Sequence, residues 1–300
     1  MENNTKIPSI VRLLAYYEIF GFPLTLKELE TNIPRKQIVD HLKDLLNSRI
    51  VFQKDDYYAI NPQTLEKNIR IGCENRVKKF MEKGIQRAQF IGKFPFVRAV
   101  MISGSLSKGY MKEDGDIDFF IITSSNRLWI ARTLLILYKK IFLLNSRKYF
   151  CVNYFIGENN LEIHQKNIFT ATEITTLIPI VNPLLYDKFI KSNSWISNHY
   201  PKFNQKEVKF HLKNDGFKRV LESTFKGSFG NYIDINFMKL TFKRWQKKFS
   251  YLEPKDFDIA LETRRNVSKH HPSHFQKKVL SDYSKIMNNL LNKIHEKNSI

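Results

Sequence analysis

The chain has 300 residues, with 49 Lys+Arg against 29 Asp+Glu and a formal net charge of +20. At 42% hydrophobic, 13% aromatic and 26% charged residues, the composition is globular and excludes wholesale disorder and collagen-like repeats. Two cysteines, Cys73 and Cys151, are too few for a disulfide framework and lack C-x-x-C spacing, which argues against a thiolate zinc site and for a reducing compartment. The excess of positive charge attracts nucleic acid, nucleotides or an anionic membrane surface. A chain this rich in Lys and Asn owes as much to composition, so charge alone decides little.

The first residues, Met1 to Thr5, are polar and do not read as a secretory signal. Ser9 is placed to cap a helix with Ile10, Leu13, Leu14 and Tyr17 at helical spacing, and Gly21-Phe22-Pro23 stops it. Thr25 with Glu28 three residues on fits a capping box. Pro34 opens a third helix in which Ile38, Leu42 and Leu45 share a face. Arg49 to Gln53 and Tyr57 to Ile60 read as two short strands. Three helices and a ribbon are the order of a winged helix. Arg35, Lys36, Gln37 and Lys43 on its third helix suit a DNA major groove, whereas Asp40 and Asp44 repel phosphate. Such modules also serve as protein-contact or structural appendages.

Residues 61–94 read as a basic connecting helix. From Phe96 to Ile163 the pattern turns α/β: strands at Val97 to Ile102, Ile117 to Thr123 and Tyr149 to Ile156, with a helix at Leu128 to Leu144 and a short pairing segment at Leu161 to Ile163. That helix is the most apolar stretch, but Arg132, Lys139 and Lys140 interrupt it and it is short for a bilayer. A cytoplasmic protein without membrane contact is expected. Beyond Thr170 no strand pattern survives, and helices are expected over 170–198, 205–226, 231–250 and 272–297, the last opened by Pro272. The fold class is therefore α+β. A winged-helix-like module (1–62) precedes a central mixed-sheet core with a leading helix (63–168) and a helical C-terminal part (169–300).

The stretch from Val100 to Ile122 carries the chemistry. An apolar strand runs into Gly104-Ser105, followed by Ser107 and Lys108; Asp116-Ile117-Asp118 then opens a second apolar strand. Alternation along a strand puts both carboxylates on one face. Two like charges at a buried sheet edge repel, and one tends to take up a proton. A divalent cation removes that penalty, and hard oxygen ligands suit Mg2+, which also contacts phosphate. Gly104 lets the backbone approach a ligand, the amides beyond it can bind phosphate, Ser105 or Ser107 can donate a hydroxyl, and Lys108 supplies charge. Phosphates on one side and metal-bearing carboxylates on the other are the layout for phosphoryl or nucleotidyl transfer. The plainer account is a polar turn with Asp118 merely at a sheet edge. The strand, Gly-Ser corner, ten-residue gap and Phe-Phe-Ile-Ile strand together speak against it.

This stretch resembles the signature of the nucleotidyltransferase superfamily typified by DNA polymerase beta. The resemblance covers about 20 residues, and the α/β order of 95–165 agrees with that fold. It implies transfer of a nucleoside monophosphate from a nucleoside triphosphate, ATP being the expected donor, to an acceptor hydroxyl with Mg2+. On that basis Gly104 and Ser105, with Ser107 and Lys108, hold the triphosphate. Asp116 and Asp118 bind metal and carry catalysis. The family commonly has a third carboxylate on a neighbouring strand. Here that strand reads Phe150-Cys151-Val152-Asn153-Tyr154-Phe155, with Asn153 at the inward position, and Glu162 is the candidate substitute. The acceptor, whether RNA, small molecule or protein, is not specified. The competing expectation is a catalytically weakened nucleotide- or DNA-binding regulator acting through residues 1–60.

Asp256-Phe257-Asp258 reads as negative charge at a helix start rather than a metal site. His270, His271 and His274 read as a basic patch or a solvated loop, because Pro272 breaks the helical pairing zinc would need. Trp129, Trp195 and Trp245 are assigned to core packing.

Overall fold

Thr25 and Glu28 close the capping box that their spacing demands: the Thr25 hydroxyl accepts from the Glu28 amide at 3.3 Å, and the Glu28 carboxylate accepts from the Thr25 amide at 2.8 Å. The computed structural model describes residues 7–66, 69–203, 216–271 and 275–298. Its first part comprises α1 (Ser9–Glu18), β1 (Leu24–Thr25), α2 (Leu26–Asn32), α3 (Arg35–Asn47), β2 (Phe52–Lys54), β3 (Tyr57–Ala59) and α4 (Pro62–Glu66). Ser9 lies inside α1 and Pro8 takes the cap position, so the cap expected from Ser9 is not formed. The small sheet has three strands in the order β1-β3-β2, one more than expected. Gly21, with φ of 61°, turns the chain into β1.

The remainder runs α5 (Ile69–Gly92), β4 (Val97–Ser103), α6 (Gly104–Ser107), β5 (Asp118–Thr123), α7 (Leu128–Phe142), β6 (Cys151–Gly157), α8 (Ile168–Thr176), β7 (Ile178–Val181) and α9 (Pro183–Ser192). A 3-10 turn at Ser194–Asn198 follows, then α10 (Gly216–Thr224), α11 (Gly227–Lys248), α12 (Pro254–Ala260), β8 (Thr263–Arg264), β9 (Val267–Lys269) and α13 (Phe275–Asn298). The expectations for 205–215, Pro272 and His274 fall outside the described residues.

The central sheet is mixed, in the order β7-β4-β5-β6-β9-β8. β5 and β6 are parallel, and α7 supplies the crossover that parallel neighbours require; the other pairings are antiparallel. Alternate residues feed two cores. Ile117, Phe119 and Ile121 join the layer of α5 and α7, while Phe120 and Ile122 join the layer of α1, α8 and α9. The architecture is α+β. The C-terminal part is not purely helical: β7, β8 and β9 complete the sheet, and Leu161 to Ile163 is not a strand. Among the described residues no helix is long and apolar enough to cross a membrane, and Leu128, Trp129, Ile130 and Ala131 of α7 are fully buried.

Buried Arg70 ties the first part to the core. It donates to both Glu28 carboxylate oxygens at 3.0 and 3.1 Å and to Pro23 O at 3.0 Å, and its guanidinium lies 4.4 Å from the Phe22 ring centre. The acid of the capping box therefore also anchors the turn that carries Phe22.

Candidate active site

Antiparallel register sets Ser103 opposite Asp118, so the corner after β4 lies beside the first residue of β5. Gly104 adopts φ of 69°, a region that L side chains enter at a cost. A Cβ there would collide with Asp118 Oδ2 and lie 3.1 Å from its Cγ. Only a glycine fits, for conformation and for space. The Ser107 hydroxyl donates to Gly104 O at 2.9 Å, and Lys108 Nζ donates to the same oxygen at 3.0 Å. The Ser105 hydroxyl meets the Met111 thioether at 4.0 Å.

Asp118 is pushed up to about 7, chiefly by burial, with Glu173 and Asp116 adding to the shift and a Cys151 hydrogen bond and Lys108 opposing it. Burial also raises Asp116, against the pull of Arg147 and Lys139. Both aspartates press upward on the Cys151 thiol, which burial above all holds at about 12. β5 begins at Asp118, so Asp116 precedes the strand and the expected alternation along one strand face does not apply to the pair; Asp118 lines the adjoining cavity and Asp116 does not.

Asn153 occupies a β-bulge. Phe119 pairs with Val152 and Phe120 with Tyr154, leaving Asn153 as the extra residue of β6. The bulge turns its amide onto Asp118: Nδ2 donates to Oδ1 at 2.9 Å. Glu162, the other candidate for a third carboxylate, is exposed, pairs with Lys166 at 2.7 Å and does not line the cavity. Ser107 does not line it either, whereas Gly104, Ser105, Lys108 and Asn153 do.

The cavity has a volume of about 400 Å³. Its wall includes an aromatic chain: Phe22 to Tyr110 at 5.4 Å, Tyr110 to Phe20 at 6.4 Å, Phe20 to Phe275 at 6.3 Å and Phe275 to Phe169 at 5.9 Å between ring centres. The first part, the corner, α8 and α13 thus close over one site. Residues without a motif also stand here. Glu173 of α8 binds Lys108 at 2.7 Å, and Lys269 of β9 lines the cavity with Gln165 and Gln276. No spacing in the sequence marked them, because they converge only through the fold.

Of the remaining candidates, Asp256 and His271 line the cavity. Asp256 sits in the first turn of α12 and accepts from Lys277 at 2.8 Å. His270 packs against Trp245 and Phe249 at 5.0 and 5.7 Å.

The groups at Asp118 and Asp116 are hard oxygen donors, the ligand type that a divalent cation such as Mg2+ takes. No cluster of three or more His, Cys, Asp or Glu exists among the described residues.

The site joins an open mixed sheet, a glycine corner after β4 and an acidic start to β5 in an α+β protein. Residues 81–178, about a third of the chain, match the family model described as nucleotidyltransferase domain. The match supports the nucleotidyltransferase superfamily for this part of the chain. No curated protein and no solved structure matches the chain.

Proposed function

We propose that this chain is a Mg2+-dependent nucleotidyltransferase that moves a nucleoside monophosphate from a nucleoside triphosphate, ATP as donor, to an acceptor hydroxyl. The carrying observation is the Ser103–Asp118 register that presses the Gly104 corner against the Asp118 carboxylate. In this reading Gly104, Ser105 and Lys108 hold the triphosphate, Ser107 braces the corner through Gly104 O, and Asp116 and Asp118 hold the metal. A bound Mg2+ would neutralise phosphate charge and polarise the reacting phosphoryl group. The acceptor oxygen forms a bond to the α-phosphorus, the α–β anhydride breaks, pyrophosphate leaves on the side of the corner, and the hydroxyl proton passes to water.

A division at residue 62 and a cytoplasmic location, consistent with buried free Cys73 and Cys151, belong to the same proposal, whereas the expected boundary at 168 does not, because β7, β8 and β9 carry the core sheet beyond it. Incubation of the full chain with α-labelled ATP, Mg2+ and RNA, protein and metabolite fractions tests it. Label transfer that disappears in Asp118→Asn is expected. No transfer to any fraction, or transfer that survives the substitution, overturns it.

One observation favours a second reading. Asn153 gives Asp118 a hydrogen bond where a third carboxylate would give a metal a ligand, which supports a weakened, regulatory role. The first part has the helix and ribbon order of a winged helix, and Arg35, Lys36, Gln37 and Lys43 are exposed on α3 beside exposed Asp40 and Asp44. A salt-dependent mobility shift on duplex DNA, lost on Lys36→Glu with Lys43→Glu, separates this reading from the first.

A further inference from the structure

Lys269 is a buried ammonium whose side-chain hydrogen bonds, among the described residues, go to neutral groups. It is 5% exposed on β9, and its ammonium donates to two neutral oxygens, Gln165 Oε1 at 3.0 Å and Gln276 Oε1 at 2.8 Å. Among the described residues no carboxylate stands within ion-pair distance of it: Glu262 and Glu173 favour its charge from further off, and each is bound to another cation, Arg264 at 3.2 Å and Lys108 at 2.7 Å. Lys108 and Lys277 face the same cavity but carry their own partners, Glu173 and Asp256, at 2.7 and 2.8 Å. Burying an ammonium against neutral amides is costly unless an anion completes the site. Burial pulls Lys269 down to about 8, so it remains largely charged at neutral pH.

Its position suggests which anion. Phe120 follows Asp118 by two residues and pairs with Tyr154, and Tyr154 pairs with Lys269. Lys269 is thus two strands beyond Asp118, roughly 10 Å across the sheet, on the side away from β4 and the Gly104 corner. Phosphoryl transfer places the attacking and leaving oxygens in line. If pyrophosphate leaves toward the corner, the acceptor enters from the side of Lys269. Between them lie the Phe120 and Tyr154 rings, 5.0 Å apart. The cavity of about 400 Å³ is the size of a small-molecule site, and a nucleic-acid duplex cannot enter it.

We propose that Lys269, with Gln165 and Gln276, anchors the acid group of a small hydroxyl-bearing acceptor, a carboxylate or a phosphate monoester, whose apolar body fills the aromatic cavity. The assignment as acceptor rests on the nucleotidyltransferase reading; the anion site itself does not.

The test uses the full chain without nucleotide and three probes: 4-hydroxyphenylacetate, phenyl phosphate and the neutral 4-hydroxyphenylacetamide. Calorimetry or saturation-transfer NMR reads their affinities. At least one acid is expected to bind tenfold more tightly than the amide. Lys269→Met removes the preference and Lys269→Arg keeps it, with Mg-ATP affinity measured on the same samples unchanged. Equal binding of both acids and the amide to the unaltered chain overturns the proposal, whatever the variants do. Displacement of the acids by adenosine assigns the cavity to a nucleobase and also overturns it. Tight, Lys269-dependent acid binding together with no Mg-ATP binding supports the anion site and removes the nucleotidyltransferase reading instead.

Discussion

Gly104 touches Asp118 so closely that the chain leaves no volume for a side chain between them, with the carboxylate carbon 3.1 Å from where a Cβ would stand. The corner and the acid are therefore one unit, and a change in either is felt by both. Gly104→Ala must relieve a collision with Oδ2 and hold a left-handed φ that costs an L residue about 1–2 kcal/mol. The expected result is a melting temperature lower by several degrees and loss of Mg-ATP binding by at least about tenfold. Calorimetry and thermal unfolding of the full chain check both; unchanged nucleotide affinity would show that the corner does not hold phosphate.

Asn153 makes a sharper case. Its amide is a neutral donor aimed at Asp118 Oδ1. In Asn153→Asp that donor becomes a second carboxylate facing the first, and the like charges repel unless a cation lies between them. The variant is expected to melt lower than the parent in EDTA and to regain most of that difference in millimolar Mg2+. The parent should respond to Mg2+ less. A variant indifferent to Mg2+ would argue that no metal reaches this pair.

Lys108 is shared between Gly104 O and the Glu173 carboxylate. A phosphate bound at the corner must compete with Glu173 for that ammonium. Glu173→Gln keeps the shape and removes the competing charge, so Mg-ATP affinity should rise by about fivefold, corresponding to ~1 kcal/mol for a partly exposed ion pair. Lys108→Met should lower it. Opposite signs from two partners in one ion pair are the diagnostic, because simple loss of stability would lower both.

These elements differ in how far the sequence announces them. Thr25 with Glu28 carries its geometry in local spacing and forms as that spacing requires; of the Gly104-Ser105 and Asp116-x-Asp118 stretch, the register sets the corner beside Asp118, while Asp116 lies before the strand and off the cavity. β7 did not announce itself because it is four residues long and carries Pro179, tolerated there at the edge of the sheet. β8 and β9 span two and three residues, too few for alternation to show. Glu173 and Lys269 belong to no motif: each enters the cavity only because β6 pairs with β9 and α8 packs beneath the first part. Asn153 was legible as the inward polar residue of its strand, but the bulge that aims it at Asp118 was not, since a register shift leaves no mark in composition.

His270 and His271 are held neutral by their surroundings. Burial among Trp245 and Phe249 lowers His270 to about 3, and burial, aided by Lys269, lowers His271 to about 4. The unfolded values lie near 6.5. A depressed folded pKa means that the unfolded chain binds more protons in this window. The stabilising contribution is then full above about pH 6.5 and is lost as pH falls toward 4. Asp118 and Asp234, both raised, respond in the opposite sense over part of the same range. The comparison that isolates the histidine is therefore between the parent and His270→Phe. Between pH 6.5 and 4.5 the parent should lose stability relative to the variant with a slope of about one proton, ~1.4 kcal/mol per pH unit, as read from urea unfolding at each pH.

Asp234 holds the crossover helix from outside. It is fully buried on α11, its Oδ1 accepts from the Ile130 amide at 2.9 Å in the first turn of α7, and its Oδ2 lies 3.0 Å from Arg265 Nη1. An unsatisfied amide at a helix start is thus capped by a residue about a hundred positions away in the chain. Because α7 is the connection that lets β5 and β6 run parallel, this cap also fixes Asp118 beside Asn153. Asp234→Ala leaves the Ile130 amide without its side-chain acceptor and the Arg265 guanidinium without its carboxylate, with Asn126 and Asn231 still bound to it, and a loss of about 3 kcal/mol is expected. Asp234→Asn keeps an acceptor for the amide while giving up the charge, and should lose less than half as much. Equal losses for the two variants would assign the effect to the ion pair with Arg265 rather than to the cap. In either case the Asn variant should keep its Mg-ATP affinity, because neither Asp234 nor Arg265 lines the cavity.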